Sequence, residues 1–289
     1  MWVRVRSAVS AGHEHCQSVM NVEGDMSLRN VLLFSFLHLC IAAPVAAESV
    51  LIVADEWPQM DVLADYLHGK GGYDIEKVEQ DELPTDLSGY DGVFQFVHGT
   101  LKDGPAQALM DHAENGGRLI VIHHGISSAK TKTKGWLSFL GMELDRSTNA
   151  KHPYGWVHGV SLTLVNLNPN HYITSHNVTY QREIEYQSSD QPSKPVELPA
   201  LEFRNTEVFL NHQFADGRAK TVLFGFHYKD PKSGKVYMQD RSGWFKRAGR
   251  GHVFYFQPGH AVSDFENRDY CQILLNCLTW NPYGPEAKD

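Results

Sequence analysis

Cysteine is scarce. The 289-residue chain has four, and two of them, Cys16 and Cys40, fall in an N-terminal region that reads as a leader. The remaining pair, Cys271 and Cys277, sits in a stretch of helical pattern. Six helical residues rise about 9 Å, beyond the ~7 Å Cα separation a disulfide tolerates. Two free, buried thiols are expected, and a core large enough to need no staple. Positive charge is not in excess either: 26 Lys+Arg stand against 34 Asp+Glu, a formal net charge of −8. A chain of that sign repels phosphate backbones, so no nucleic-acid partner is expected. No G-x-G-x-x-G follows the first apolar run, where the turn is Asp55-Glu56-Trp57-Pro58. That argues against a dinucleotide site. No G-x-S-x-G surrounds Ser127-Ser128 either, which argues against a serine nucleophile on a strand-to-helix elbow.

Long hydrophobic runs are also missing. The longest, Val31 to Ala43, falls short of the ~20 residues that span a bilayer, so no stable membrane insertion is expected. Arg29 precedes it and Ala43-Pro44-Val45-Ala46-Ala47 follows, the layout of a secretory signal with small residues at the cleavage site. Residues 26–47 therefore read as a signal peptide cut after Ala47, starting from Met26. Residues 1–25 read as a mis-started leader, and residues 48–289 as the mature domain. A periplasmic or secreted location follows.

Histidine, in contrast, is abundant, with sixteen copies. It is both a metal ligand and the acid/base suited to neutral pH. Its placement follows from the rhythm of the mature chain. Apolar runs at Ser49–Val53, Tyr73–Val78, Tyr90–Val97 and Arg118–His123 alternate with helical patterns at Met60–Lys70 and Lys102–Asn115. This is the signature of βαβ units and a parallel sheet covered on both faces. From about Lys151 to Asp240 the pattern is β-rich and irregular. A further strand, His252–Phe256, and a C-terminal helix, Asn267–Trp280, close the chain. One α/β domain with a β-rich insertion is expected.

Ligands of open parallel sheets bind at the carboxyl ends of the strands. His98, His123, His124 and His260 all fall at such ends, with glycine directly after His98 and His124. Any one of them could be a satisfied core imidazole; their repetition at one edge points to a functional centre. A turn beginning at His124 would lift its imidazole above the strand end and make it the key polar group. Two chemistries suit such a cluster. The histidines can act as general acid and base, or they can hold a divalent metal, Zn or Mn, together with Glu183 or Glu185. Trp57, Trp136, Trp156, Tyr186 and Trp244 can stack on a sugar ring or simply fill the core.

Several segments carry a family resemblance in order along the chain. Gly116-Gly117-Arg118-Leu119-Ile120-Val121-Ile122-His123-His124-Gly125 resembles the double-histidine strand of the trehalose-utilisation (ThuA-like) family. Trp136 to Gly141 resembles its following helix, and His171-Tyr172-Ile173-Thr174 its H-P-I-T. Gly249 to His260 resembles its G-x-G-R-V-F-Y-x-x-x-G-H, with His252 in place of the arginine. Leu278-Thr279-Trp280 matches too, while Glu183-Ile184-Glu185-Tyr186 matches the family's D-E-x-Y only loosely. The resemblance implies a class I glutamine amidotransferase-like fold, a flavodoxin-like doubly wound, mostly parallel sheet. It implies carbohydrate catabolism, with a small-molecule sugar such as an oxidised (3-keto) glycoside as the partner and a hydrolase, lyase or isomerase reaction. The alternative is a non-enzymatic periplasmic sugar-binding or accessory module. The candidate catalytic set is His124, His123, His98 and His260, and the candidate substrate contacts are His171, Glu183, Tyr186 and Trp244. Amidotransferase chemistry is not expected, because the elbow that would carry a cysteine reads His123-His124-Gly125.

Overall fold

A computed structural model describes residues 48–217 and 219–284. The leader and signal-peptide segments of residues 1–47 lie outside the described residues. The strands are β1 (Ser49–Ala54), β2 (Asp74–Val78), β3 (Gly92–Phe96), β4 (Arg118–Ile122), β5 (Met142–Glu143), β6 (Gly155–Asn166), β7 (Arg182–Tyr186), β8 (Val196–Leu210), β9 (Gln213–Phe214), β10 (Thr221–Lys229), β11 (Val236–Ala248) and β12 (Gly251–Phe256). The α-helices are α1 (Trp57–Tyr66), α2 (Asp103–Glu114), α3 (Trp136–Leu140), α4 (Tyr172–Ser175), α5 (Val262–Glu266) and α6 (Arg268–Thr279). Among the described residues, no helix is long and apolar enough to cross a membrane.

Ten strands form one sheet in the order β2-β1-β3-β4-β12-β11-β10-β6-β8-β7. Its first five, β2-β1-β3-β4-β12, are all parallel and carry the 2-1-3-4-5 order of flavodoxin-like folds. The expected β-rich insertion lies between β4 and β12. It does not form a separate layer: β11, β10, β6, β8 and β7 extend the same sheet with antiparallel pairs.

The apolar runs of the parallel half are buried on both faces, and their alternation assigns each residue to one core. Val50, Ile52 and Ala54 join Phe94, Phe96, Ile120, Ile122, Phe254 and Phe256 beneath α1 and α6. Leu51 and Val53 join Val93, Leu119, Val121, Val253 and Tyr255 against α2 and α3. Helix α6 buries Cys271 and Cys277, which are free thiols as the spacing requires; burial pushes the Cys271 thiol up to about 12. Helix α1 ends earlier than the sequence pattern suggests. Leu67–Gly71 widens into a π-turn closed by Gly72 in the left-handed region at φ 73°.

Candidate functional site

The carboxyl edge of the parallel half collects the strand-end histidines. The turn after β4 starts one residue earlier than expected. His123 itself adopts φ 47° and opens a 3-10 turn, His123–Ile126. That left-handed backbone is costly for a side chain with a Cβ, and the surroundings fix it. His123 Nδ1–H donates to the Gln257 carbonyl at 2.6 Å, and Tyr255 Oη–H donates to the His123 carbonyl at 3.3 Å. Gly125 then lets the chain pass close: a Cβ there would lie 2.1 Å from Val121 Cγ1 and 2.5 Å from Gln95 Oε1.

The acidic member of the site comes from the insertion. Glu207 on β8, 2% exposed, aims its carboxylate at the histidines. His123 Nε2 and His124 Nε2 each lie 3.0 Å from Glu207 Oε2. His260 Nδ1 lies 3.4 Å from the same oxygen, outside hydrogen-bond geometry and with no other partner. His158 Nδ1 on β6 reaches the second oxygen, Oε1, at 3.1 Å. One ligand atom from each of His123, His124, Glu207 and His260 falls within 4.8 Å of all the others.

His98 completes the group differently. Its ring stacks on His124 with centroids 3.9 Å apart and an interplanar angle of 16°, and its Nδ1 lies 2.8 Å from Glu56 Oε1. Parallel stacking sets the ring nitrogens side by side, so Glu56, His98 and His124, though close, do not aim at one point. The loop bearing His98 is clamped from two sides. Asp55 accepts the His98 and Gly99 backbone N–H groups at 2.6 and 2.9 Å. Lys130, fully buried, donates to the Val97, His98 and Gly99 carbonyls at 2.8, 3.3 and 2.7 Å. Burial pulls its ammonium down to about 7 against the opposing pull of Asp55.

Burial, reinforced by the His123 charge, holds His124 down to about 3, despite the Glu207 hydrogen bond. Burial is also the main cause of a lowered His260. For Glu207 burial works the other way, yet the hydrogen bonds and charges of His123 and His124 outweigh it and hold the carboxyl well below its usual range. The two directions conflict: burial disfavours charge on His124, while charge on the same imidazoles is what holds the Glu207 carboxyl in its ionised form. The His123 tautomer sharpens the conflict: with its Nδ1 proton committed to Gln257, a neutral ring presents an Nε2 lone pair to the carboxylate. A cation among the four groups satisfies every one of them. Tetrahedral ligands at ~2.0–2.1 Å from a zinc ion stand about 3.3 Å apart, close to the spacings seen. The Gln257 carbonyl on His123 is the usual outer-sphere partner of a ligating imidazole.

The structure thus brings together His98, His123, His124 and His260, and adds Glu207, His158 and Glu56, which the sequence reading did not single out. Strand alternation was the available signal for two of them. Trp156 and His158 share one face of the β6 ribbon, and Glu207 and Phe209 oppose His158 and Trp156 across it. The four expected substrate contacts lie elsewhere. His171 caps α4 by accepting the Ile173 N–H, its ring lodged beside Phe245 and Trp280. Glu183 is exposed on β7, at the sheet margin, and neither it nor its neighbour Glu185 joins the histidine cluster. Tyr186 is buried and donates to Asp240. Trp244 is fully buried against Tyr255 and Phe214.

A cleft of about 280 Å³ opens on the cluster, lined by His98, His124, Ser127, Tyr154, Trp156 and His158, with Glu207 and Phe209 at its base. A larger groove of about 950 Å³ between α1, α4 and α6 has none of the strand-end histidines in its wall.

The sequence matches no curated protein. Among solved structures, a ThuA-like protein from Bacteroides uniformis superposes with a TM-score of 0.56 at 14% identity, covering 82% of this chain and 93% of its own. A cytoplasmic protein from Salmonella typhimurium gives 0.49 at 14% identity, over 80% of this chain and 98% of its own. A glutamine amidotransferase from Thermotoga maritima gives 0.42 at 11%, over 73% and 75%. The first of these supports the fold. The family described as trehalose utilisation matches residues 47–281, nearly the whole described domain, and the chain belongs to this ThuA family.

Proposed function

We propose that this is an exported carbohydrate-processing enzyme that holds a divalent metal, Zn or Mn, through His123, His124, Glu207 and His260 and acts on an oxidised (3-keto) glycoside. The observation that carries the reading is the convergence of three imidazole nitrogens on one carboxylate oxygen, with the tautomer of His123 set by a backbone carbonyl. Bound there, a metal ion would supply Lewis-acid polarisation of the sugar carbonyl.

The chain's own groups supply the proton chemistry. His98 and His158 are the cleft-lining imidazoles with the most exposure, at 51% and 58% of their side chains. With its Nδ1–H donated to Glu56, His98 keeps Nε2 free to take a proton from the carbon beside a carbonyl. His158, held by Glu207 Oε1, stands where it can return a proton to a leaving oxygen. Phe209 and Tyr154 wall the site and keep water from its base. The family's link to trehalose utilisation supports the substrate class, and the apolar stretch at residues 31–43 with small residues to Ala47 supports export.

The test is a screen of trehalose and 3-keto-trehalose with the purified protein, with and without chelator. Turnover of the keto form, abolished by chelator and restored by Zn or Mn, is expected. Sugar returned unaltered under all conditions would contradict the enzymatic reading and favour a binding module. For export, mass spectrometry of natively produced protein should find Glu48 at the N-terminus; intact residues 26–47 would refute it.

A further inference from the structure

Trp156 is the exposed tryptophan of the described chain. Trp136, Trp244 and Trp280 are buried and Trp57 is half-buried, whereas Trp156 is 43% exposed. A lone exposed aromatic is ordinary on a protein surface, but this one lies in the wall of the histidine cleft. β6 sets it there. Trp156 and His158 are alternate residues on one face of the strand, Tyr154 directly precedes it, and Trp156 pairs with Phe209 as His158 pairs with Glu207. The indole therefore stands two register positions along the ribbon from the cluster's carboxylate, on the same face. Tyr154 flanks it at 6.1 Å between centroids with a 40° tilt, and the exposed Arg146 brings its guanidinium to 6.0 Å from the ring centre. The cleft wall thus joins an aromatic surface, from Tyr154, Trp156 and Phe209, to imidazole and hydroxyl groups, from His98, Ser127 and Ser128, with the Arg146 guanidinium beside the indole.

We infer that Trp156 is the stacking platform for one pyranose ring of the substrate and fixes which sugars the site accepts. The assignment rests on the carbohydrate reading above and adds the subsite to it. A pyranose is amphipathic in the matching way. One ring face presents C–H groups that lie against an indole, whose faces carry negative potential, while its hydroxyls project sideways to polar partners. The cleft volume of about 280 Å³ sits at the lower end of small-ligand sites, so it encloses a single ring and leaves the rest of a glycoside outside. The platform consequently selects for ring form: an open-chain polyol has hydroxyls for Arg146 and His98 but no C–H face for Trp156.

Titration calorimetry of the full chain with methyl α-glucopyranoside, trehalose and sorbitol tests this, using wild type, Trp156→Ala and Trp156→Phe. Both pyranosides are expected to bind wild type. Trp156→Ala should weaken them by about tenfold and Trp156→Phe by no more than about threefold, because the phenyl ring keeps an aromatic face. Sorbitol binding and zinc binding should be the same in all three proteins. Pyranoside affinity unchanged in Trp156→Ala would overturn the platform and leave the carbohydrate reading standing. Failure of wild type to bind either pyranoside would overturn the platform, and failure to bind or turn over 3-keto-trehalose as well would overturn the carbohydrate reading.

Discussion

The two halves of the sheet contribute to the cluster in different ways. The parallel half delivers His98, His123, His124 and His260 through topology: parallel strands share one carboxyl edge, so whatever follows each strand arrives at the same place. The antiparallel half delivers Glu207 and His158 from the interior of long strands, through register and alternation. The first contribution depends on loops just beyond strands. The second depends on β8 lying at one distance from β4, which the strands between them set. Asp264 joins the halves. Its Oδ2 accepts from the Gly259 and Ala261 N–H groups beside His260, at 3.0 and 3.3 Å, and from Thr206 Oγ1 beside Glu207, at 2.6 Å. The imidazoles are thus placed by strand ends and the carboxylate by the insertion, so the cluster is complete only when both halves hold their positions.

The comparison can be broken most severely at its meeting point. Glu207→Ala strips the buried His123 and His124 ring nitrogens of their shared partner, at about 1–3 kcal/mol for each buried polar group left unpaired, and so should cost about 3–5 kcal/mol in urea unfolding, with loss of zinc binding. Asp264→Ala should cost about 3 kcal/mol through three lost charge-assisted hydrogen bonds. It should also weaken zinc some 10–100-fold, as loss of an outer-sphere partner does. If zinc affinity survives, the halves are positioned independently of this link. Gly125→Ala strains only the parallel half, by the close approach of Val121 and Gln95, and should cost about 2 kcal/mol in the same measurement. Glu183→Ala, on exposed β7, should stay within about 0.5 kcal/mol and leave zinc binding untouched.

The same division separates what the sequence reveals from what it hides. The parallel half was legible because its strands are short apolar runs with glycine-marked ends, and the histidines follow those ends directly. The exact turn was not: His123, rather than His124, takes the left-handed backbone, because the Gln257 and Tyr255 contacts that fix it are formed by residues more than 130 positions away. The carboxylate was missed for a related reason. Glu183 and Glu185 stand in a segment that resembles a motif, whereas Glu207 stands in Asn205-Thr206-Glu207-Val208-Phe209, an ordinary strand sequence. Its importance comes from β6–β8 register, with an irregularity next to the His158–Glu207 pair, and register across an insertion leaves no local mark. By residue type Trp244 and Tyr186 are as suited to a sugar as Trp156; only packing, which buries both, distinguishes them.

On the proposed reading, His123, His124, His260 and Glu207 together hold one divalent ion. Equilibrium zinc titration of the full chain, read by elemental analysis after gel filtration, tests it directly when wild type is run beside Glu207→Gln and Glu183→Gln. One zinc per chain is expected in wild type and in Glu183→Gln, and affinity lowered at least about tenfold in Glu207→Gln, which keeps the side-chain shape but removes the anionic ligand. Equal zinc binding by Glu207→Gln and wild type, or no bound zinc in wild type, would contradict it.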